Sequence, residues 1–98
     1  MDDILTLISE AYTKNTIGVE VPTETTTDVW AHKRSITRAE WFEGARNGLN
    51  PSMVLITPRV NYSGQKLALW QGVRYFIYRT YSADNSDDIE LYLERRST

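Results

Sequence analysis

One change of period governs what this chain can fold into. From Trp30 to Phe42 it reads W-A-H-K-R-S-I-T-R-A-E-W-F. A strand runs into the only well-marked helix of a sequence otherwise patterned for β structure. The switch falls at Ser35-Ile36-Thr37, and the helix start is signalled several times. Thr37 and Glu40 have the spacing of a capping box: the Thr37 hydroxyl accepts from the Glu40 N–H, and the Glu40 carboxylate accepts from the Thr37 N–H. Ile36 and Trp41 have the spacing of a hydrophobic staple. Glu40 and Glu43 suit the positive end of the helix dipole. Ala39, Phe42 and Ala45 share a face, with Trp41 beside it. Gly48 is a natural left-handed stop, and Pro51 bars continuation. The predicted helix covers about 37–47.

The remaining pattern predicts about six short strands. Together with one helix they describe a small, mainly β barrel. Ile4 to Tyr12 fits a strand with Ile4, Thr6 and Ile8 on one face and Leu5, Leu7 and Ala11 on the other. Helical spacing of Ile4, Leu5, Ile8 and Tyr12 also fits, and the strand is preferred. Val29–Ser35 is the next strand. After the helix, Val54, Ile56 and Val60 are expected on one face, with Pro58 marking an edge or a bulge. Asn61 to Gly64 is a turn. Leu67 and Leu69 then alternate, with Trp70 opposite. Gln71-Gly72 reads as a two-residue hairpin turn. Val73, Tyr75 and Ile77 alternate with Arg74, Phe76 and Tyr78 on a strand reaching Tyr81. After an acidic turn over Ser82–Asp88, Ile89, Leu91 and Leu93 face inward, with Glu90, Tyr92 and Glu94 outward. Residues 1–98 form a single domain, with a disordered tail over 95–98.

Thr13 to Asp28 differs from the rest. Six of its sixteen residues are Thr, and Gly18 and Pro22 interrupt it. Too few large apolar groups are present to anchor it in a core, although Thr and Val favour extended backbone. The plain expectation is a long flexible loop or a loose hairpin. A functional expectation stands beside it: a segment mobile alone that becomes a strand when partnered.

Composition excludes several chemistries. There is no cysteine, so neither a disulfide nor a thiolate nucleophile is available. The single histidine, His32, rules out a two-histidine metal helix and has no obvious partner for base catalysis. Asp84-Asn85-Ser86-Asp87-Asp88 has the look of a calcium loop. It lacks glycine at the sixth position and glutamate at the twelfth, where Ile89 and Arg95 stand. Asn61-Tyr62-Ser63 matches a glycosylation acceptor but reads as a turn. The expectation is a protein that is not an enzyme and carries no cofactor or metal. The net charge of −2 argues against tight non-specific DNA binding. Even so, Trp30, Trp70, Tyr75, Phe76, Tyr78 and Tyr81, with Arg74 and Arg79 interleaved, could form a stacking face for single-stranded nucleic acid. No apolar run approaches the ~20 residues of a membrane span. The acidic Met1-Asp2-Asp3 is unlike a signal peptide. A soluble protein outside the secretory route is expected.

Four blocks carry a further signal. They are Trp30-Ala31 with Ser35–Phe42, Ala45 and Gly48; Tyr62-Ser63-Gly64; Gly72–Tyr81, read as G-V-R-Y-F-I-Y-R-T-Y; and Ile89–Leu93. In this order they resemble the head-closure, or head–tail stopper, proteins of long-tailed bacteriophages. The resemblance covers about Val29 to Glu94, and Met1 to Asp28 matches only loosely. It implies a small β-barrel with one helix and a long N-terminal-side loop. It also implies a ring of identical copies below the portal and its adaptor, or head completion protein. The ring closes the DNA channel after packaging and offers its other face to a tail completion or tail terminator protein. Packaged double-stranded DNA would pass through without tight binding. The expected channel loop is Gly18, Val19, Glu20, Val21, Pro22, Thr23, Glu24, Thr25 and Thr26. Glu20, Glu24 and Asp28 would line the lumen with acidic rings. The expected place is the head–tail junction of the virion, reached from the bacterial host cytoplasm. Related expectations are a neck or tail-completion protein of the same region, or a small-barrel module for single-stranded nucleic acid. The isolated chain is expected to be a monomer.

The cap makes a direct prediction. Thr37→Ala removes one partner of the box and costs about 1 kcal/mol, measured by chemical denaturation. Truncating Trp41 costs about 3–5 kcal/mol where that ring is buried.

Overall fold

Leu5 and Leu7 point to one side of their strand, and every other strand supplies inward residues to meet them. In the computed structural model, which describes residues 2–95, β1 spans Asp2–Lys14 and β2 Glu20–Arg34. Helix α1 covers Arg38–Arg46 and β3 covers Pro51–Pro58. A single 3₁₀ turn at Arg59–Asn61 leads to β4, Leu67–Trp70, then β5, Val73–Tyr81, and β6, Asp88–Glu94. The strands close into an antiparallel barrel in the order β1-β2-β3-β6-β5-β4. Its interior holds Leu5, Leu7, Val29, Ala31, Met53, Leu55, Ala68, Trp70, Tyr75, Ile77, Ile89, Leu91 and Leu93. The mainly β barrel with one short helix is thus the fold, and residues 4–12 are strand. No helix among the described residues is long and apolar enough to cross a membrane.

Several local expectations stand in the structure. Gln71 and Gly72 both have positive φ, +50° and +80°, between the paired Trp70 and Val73. That is a type I′ turn, whose twist matches the strands it joins. Val73, Tyr75 and Ile77 face inward, as do Ile89, Leu91 and Leu93. Gly48 ends the helix at φ +78°. Leu49 N–H donates to Gly44 C=O and Gly48 N–H to Ala45 C=O, the two bonds of a Schellman cap.

Other expectations are corrected. On β3 Val54 and Ile56 do share a face, without Val60, but it is the outer one; the core residues are Met53 and Leu55, with buried Thr57. Val54 is buried on the outer face, between Arg34 and Tyr92 in register, and Val60 lies 90% exposed in the 3₁₀ turn. Both faces of β3 are covered, so alternation could not choose between them. Pro58 marks neither an edge strand nor a bulge. It ends β3, an internal strand, and the bulge falls instead at Pro51/Met53. On β4 Leu67 and Leu69 do share a face opposite Trp70, as expected, and it is the Ala68–Trp70 face that points inward.

The helix is also turned differently. Its only fully buried residue is Gly44, whereas Trp41 is 44% and Phe42 55% exposed, stacked edge to face on each other. An added Cβ at Gly44 would run into the Pro51 ring, so the missing side chain lets α1 approach β3. Truncating Trp41 therefore costs less than the buried-ring figure. Arg95 is exposed and its backbone bonds Asn50, while 96–98, the rest of the expected disordered tail, lie outside the described residues.

The turn gives a clean test. A left-handed conformation costs a non-glycine residue roughly 1 kcal/mol. Gln71→Gly therefore raises stability by up to about 1 kcal/mol in thermal or urea unfolding, despite losing the exposed 3.3 Å contact to Asp3.

Candidate functional site

Residues 9–28 are all exposed. β1 pairs with β4 only over Leu5–Ile8, and β2 with β3 only over His32–Arg34. Beyond those points the two strands continue together in unbroken register to Lys14 and Glu20. The result is a two-stranded ribbon leaving the barrel. Six residues at ~3.3 Å each carry it about 20 Å outward. The long dimension of the molecule is 50 Å against 30 and 27 Å, and the radius of gyration is 15.0 Å, above the ~13 Å typical of this length.

Of the two plain expectations for 13–28, a flexible loop or a loose hairpin, the hairpin is the one formed, as an arm within one chain. Only 15–19 form the turn, and Glu20–Asp28 is strand. Its ordering needs no second copy, contrary to the expectation of a segment structured only when partnered. Isolated ribbons are marginal in water. This one grows from strands already anchored by Leu5, Leu7, Val29 and Ala31, so its register is inherited. Its other supports are polar. Asn15 Oδ1 accepts from the N–H groups of Ile17 and Val19, and Gly18 turns the chain at φ +83°. The hydroxyls of Thr13 and Thr23 are 3.1 Å apart, Thr6 Oγ1 donates to Asp28, and Arg74 pairs with Glu24 at 3.3 Å.

The hairpin sorts its side chains by parity. Glu20, Pro22, Glu24, Thr26 and Asp28 share the outer face of β2 with Glu10, Tyr12 and Lys14 of β1. Val21, Thr23 and Thr25 share the other with Ser9, Ala11 and Thr13. Ile17 is 80% exposed at the tip, with Val19 beside it. Thus Gly18–Thr26 lie together on the arm, while Ile36, Thr37, Glu40 and Trp41 lie at the opposite end of β2.

That second group anchors the helix. The capping box is complete: Glu40 N–H donates to Thr37 Oγ1 at 3.1 Å and Thr37 N–H to Glu40 Oε1 at 2.9 Å. Glu40 also receives both guanidinium nitrogens of Arg34, at 3.1 and 3.0 Å. Tyr92 OH, from β6, lies 2.8 Å from Glu40 and 3.0 Å from Glu90 and donates its single proton to one at a time. Arg79 lies over the Tyr92 ring at 4.6 Å. The Arg34 bond, with Thr37 and Tyr92 adding to it, holds the Glu40 carboxyl down at about 2 against partial burial. Burial first, then the two carboxylates, pushes the Tyr92 hydroxyl up. Sequence reasoning found Thr37 and Glu40 but missed Arg34, Glu90 and Tyr92. Only barrel register brings those residues together.

The alternative aromatic face is divided. Trp70 and Tyr75 are in the core, Phe76 and Tyr78 are half-buried, and Trp30 and Tyr81 are exposed. Arg74 is paired with Glu24, and Arg79 covers Tyr92. His32 is exposed, opposite Ile56 in register. No group of three or more His, Cys, Asp or Glu among the described residues is placed to hold a metal ion. The fold and its ribbon define a small antiparallel barrel with a projecting hairpin. No protein-family model matches the chain, and no curated protein matches it.

The Glu40 carboxyl makes a pH prediction. Its value falls from an ordinary 4.5 to about 2 on folding, so its stabilisation is full above pH 4.5 and is lost as pH drops towards 2. Both side chains of the pair are partly exposed, which limits the contribution to about 2 kcal/mol. Glu40→Gln lowers stability at neutral pH and flattens the decline between pH 4.5 and 2. Equal acid slopes for both proteins in urea unfolding would contradict this.

Proposed function

We propose that this chain is a structural subunit of a phage head–tail connector, of the head-closure or stopper kind. Copies would form a ring below the portal adaptor, with the hairpin arms directed into the channel. The observation that carries the reading is an arm of twenty consecutive exposed residues, 9–28, held in register by a closed barrel. Within its own chain this ribbon buries none of its residues. Repeating it around an axis multiplies a weak contact into a shared barrier. Glu20 and Glu24 sit on one face of the arm, with Asp28 at its root. Ringed around a lumen, such carboxylates repel phosphates and keep DNA from adhering, as a reversible closure requires. Chemistry is not asked of the subunit; its work is shape and repulsion. The opposite side of the ring would receive the tail.

The experiment is a particle assay. Residues 10–24 are replaced by a two-residue turn joining Ser9 to Thr25, a pair that bonds across the hairpin, which removes no core side chain. The variant is expected to keep a cooperative unfolding transition, while particles built with it package DNA and then leak it. Normal retention of DNA would remove the arm from any sealing role. A parallel titration with single-stranded DNA is expected to show no binding at physiological ionic strength. Salt-sensitive binding there would favour a nucleic-acid module instead.

A further inference from the structure

The two edges of the arm are not equivalent. The bond from Asn15 N–H to Val19 C=O, 2.9 Å, sets the phase of the hairpin ladder. With no register shift between β1 and β2, odd residues of β1 bond across the hairpin and even residues turn N–H and C=O outward. Trp30 fits this phase: its C=O accepts from Thr57 Oγ1 of β3, at 2.8 Å. On the β2 edge the outward positions are Glu20, Pro22, Glu24, Thr26 and Asp28. Pro22 has no N–H to offer, and three of its neighbours are acidic. Prolines and charges are how sheet edges are kept from pairing. On the β1 edge the outward positions beyond β4 are Glu10, Tyr12 and Lys14, each with a full donor and acceptor.

We infer that the β1 edge, Glu10–Lys14, pairs antiparallel with the same edge of a second copy about a two-fold axis at Tyr12. In that register Glu10 faces Lys14 of the second copy, twice, and the two Tyr12 rings meet on one face. Opposite charges directly across strands attract, and aromatic pairs add to them. Parallel pairing would set Glu10 near Glu10, and β2 against β2 would set acid against acid. Neither Glu10 nor Lys14 has a side-chain hydrogen bond or ion pair among the described residues. Glu10 faces Glu24 across its own hairpin, while Glu24 is held by Arg74. Tyr12 is 69% exposed.

Space for the second copy is present. A groove of about 610 Å³ opens where β4 leaves β1, beside Ser9, Glu10 and the Gly64–Lys66 loop, with Ile8, Leu67 and Phe76 in its wall. Continuing the same register places Asn15 of the second copy opposite Ser9, at this groove. The exposed tip, with its uncovered Ile17, lies next along. The pairing is isologous and closes on two copies, so it goes beyond the ring and does not build it. Five paired residues per copy fall far short of the ~1,200 Å² of a stable interface. The dimer is therefore weak, and the chain is monomeric at low micromolar concentration.

The test is a charge exchange followed by sedimentation and NMR diffusion up to about 1 mM. Glu10→Lys and Lys14→Glu should each weaken pairing about tenfold, because each sets like charges opposite twice. The double variant, Glu10→Lys with Lys14→Glu, should restore it, and an equimolar mixture of the two single variants should form the mixed dimer. Glu10→Lys also relieves the opposition to Glu24, so its loss of pairing cannot come from a weakened hairpin. Tyr12→Cys supplies the only thiol in the chain. Directly opposed Cα atoms lie ~5.5 Å apart, within disulfide range. Mild oxidation should give a covalent dimer, more slowly when Lys14→Glu is added. A monomer throughout, self-association indifferent to the charge exchange, or crosslinking as fast from Pro22→Cys would overturn the inference.

Discussion

Four residue pairs close this molecule: Leu5 to Trp70, Thr6 to Leu69, Leu7 to Ala68 and Ile8 to Leu67. They join the first strand to the fourth and turn a sheet with two edges into a barrel with none at that level. Closure of this kind is how small β proteins bury a core while removing edges. The joint is short because β4 has only four residues. β1, with thirteen, runs past it. The arm is the length left over once the barrel has closed. Its direction follows from the strands it continues, and its register from the leucines at its root.

The other end of β2 is held by charge rather than by apolar packing. Arg34 leaves the last residue of the strand and grips Glu40 in the first turn of the helix. Glu40 serves the cap, the guanidinium and the Tyr92 hydroxyl together. The helix can therefore lie on β3 through Gly44 while showing Trp41 and Phe42 to solvent. A helix attached by its polar stripe leaves its aromatic side uncovered. Position here comes from an N-terminal cap and a bidentate ion pair, two short-range interactions with strict geometry. β2 is thus fixed at one end by this cluster and in its middle by the barrel. It is free at the other end, where the chemistry of its side chains changes from Val and Ala to Thr, Glu and Pro.

Legibility in the sequence followed the range of the interaction. The cap at Thr37 and Glu40, the stop at Gly48 and the Gln71-Gly72 turn depend on residues at most five apart, and all could be read directly. So could the inward sets of β5 and β6, where one face is clearly more apolar. On β3 and β4 the alternation was legible but the choice of interior face was not, because apolar residues occupy both of their faces. Val54 belongs under the helix-side cluster and Leu67 beside a surface groove, and alternation cannot tell these from the interior. The arm was legible only as a choice between a loop and a loose hairpin. A Thr-rich stretch without large apolar residues fits both, since nothing in it signals a core. What gives it strand structure is β1 lying alongside, thirteen pairs deep.

The amino-acid order by itself determined the class of the fold: one capped helix, strands on either side, a barrel-sized core and no cysteine. It also determined the composition of the arm, whose Thr, Val and Glu residues extend without burying. Tertiary structure alone decided that Arg34, Glu90 and Tyr92 converge on Glu40. It decided too that Pro22 closes one edge of the arm while Glu10, Tyr12 and Lys14 stay open on the other. The first depends on register between strands distant in sequence, the second on the phase of the β1–β2 ladder and on where β4 stops along β1. A shift of one residue sends every side chain to the opposite face. That choice is made by the whole barrel closing on Leu5, Leu7 and Trp70, and by no segment within it.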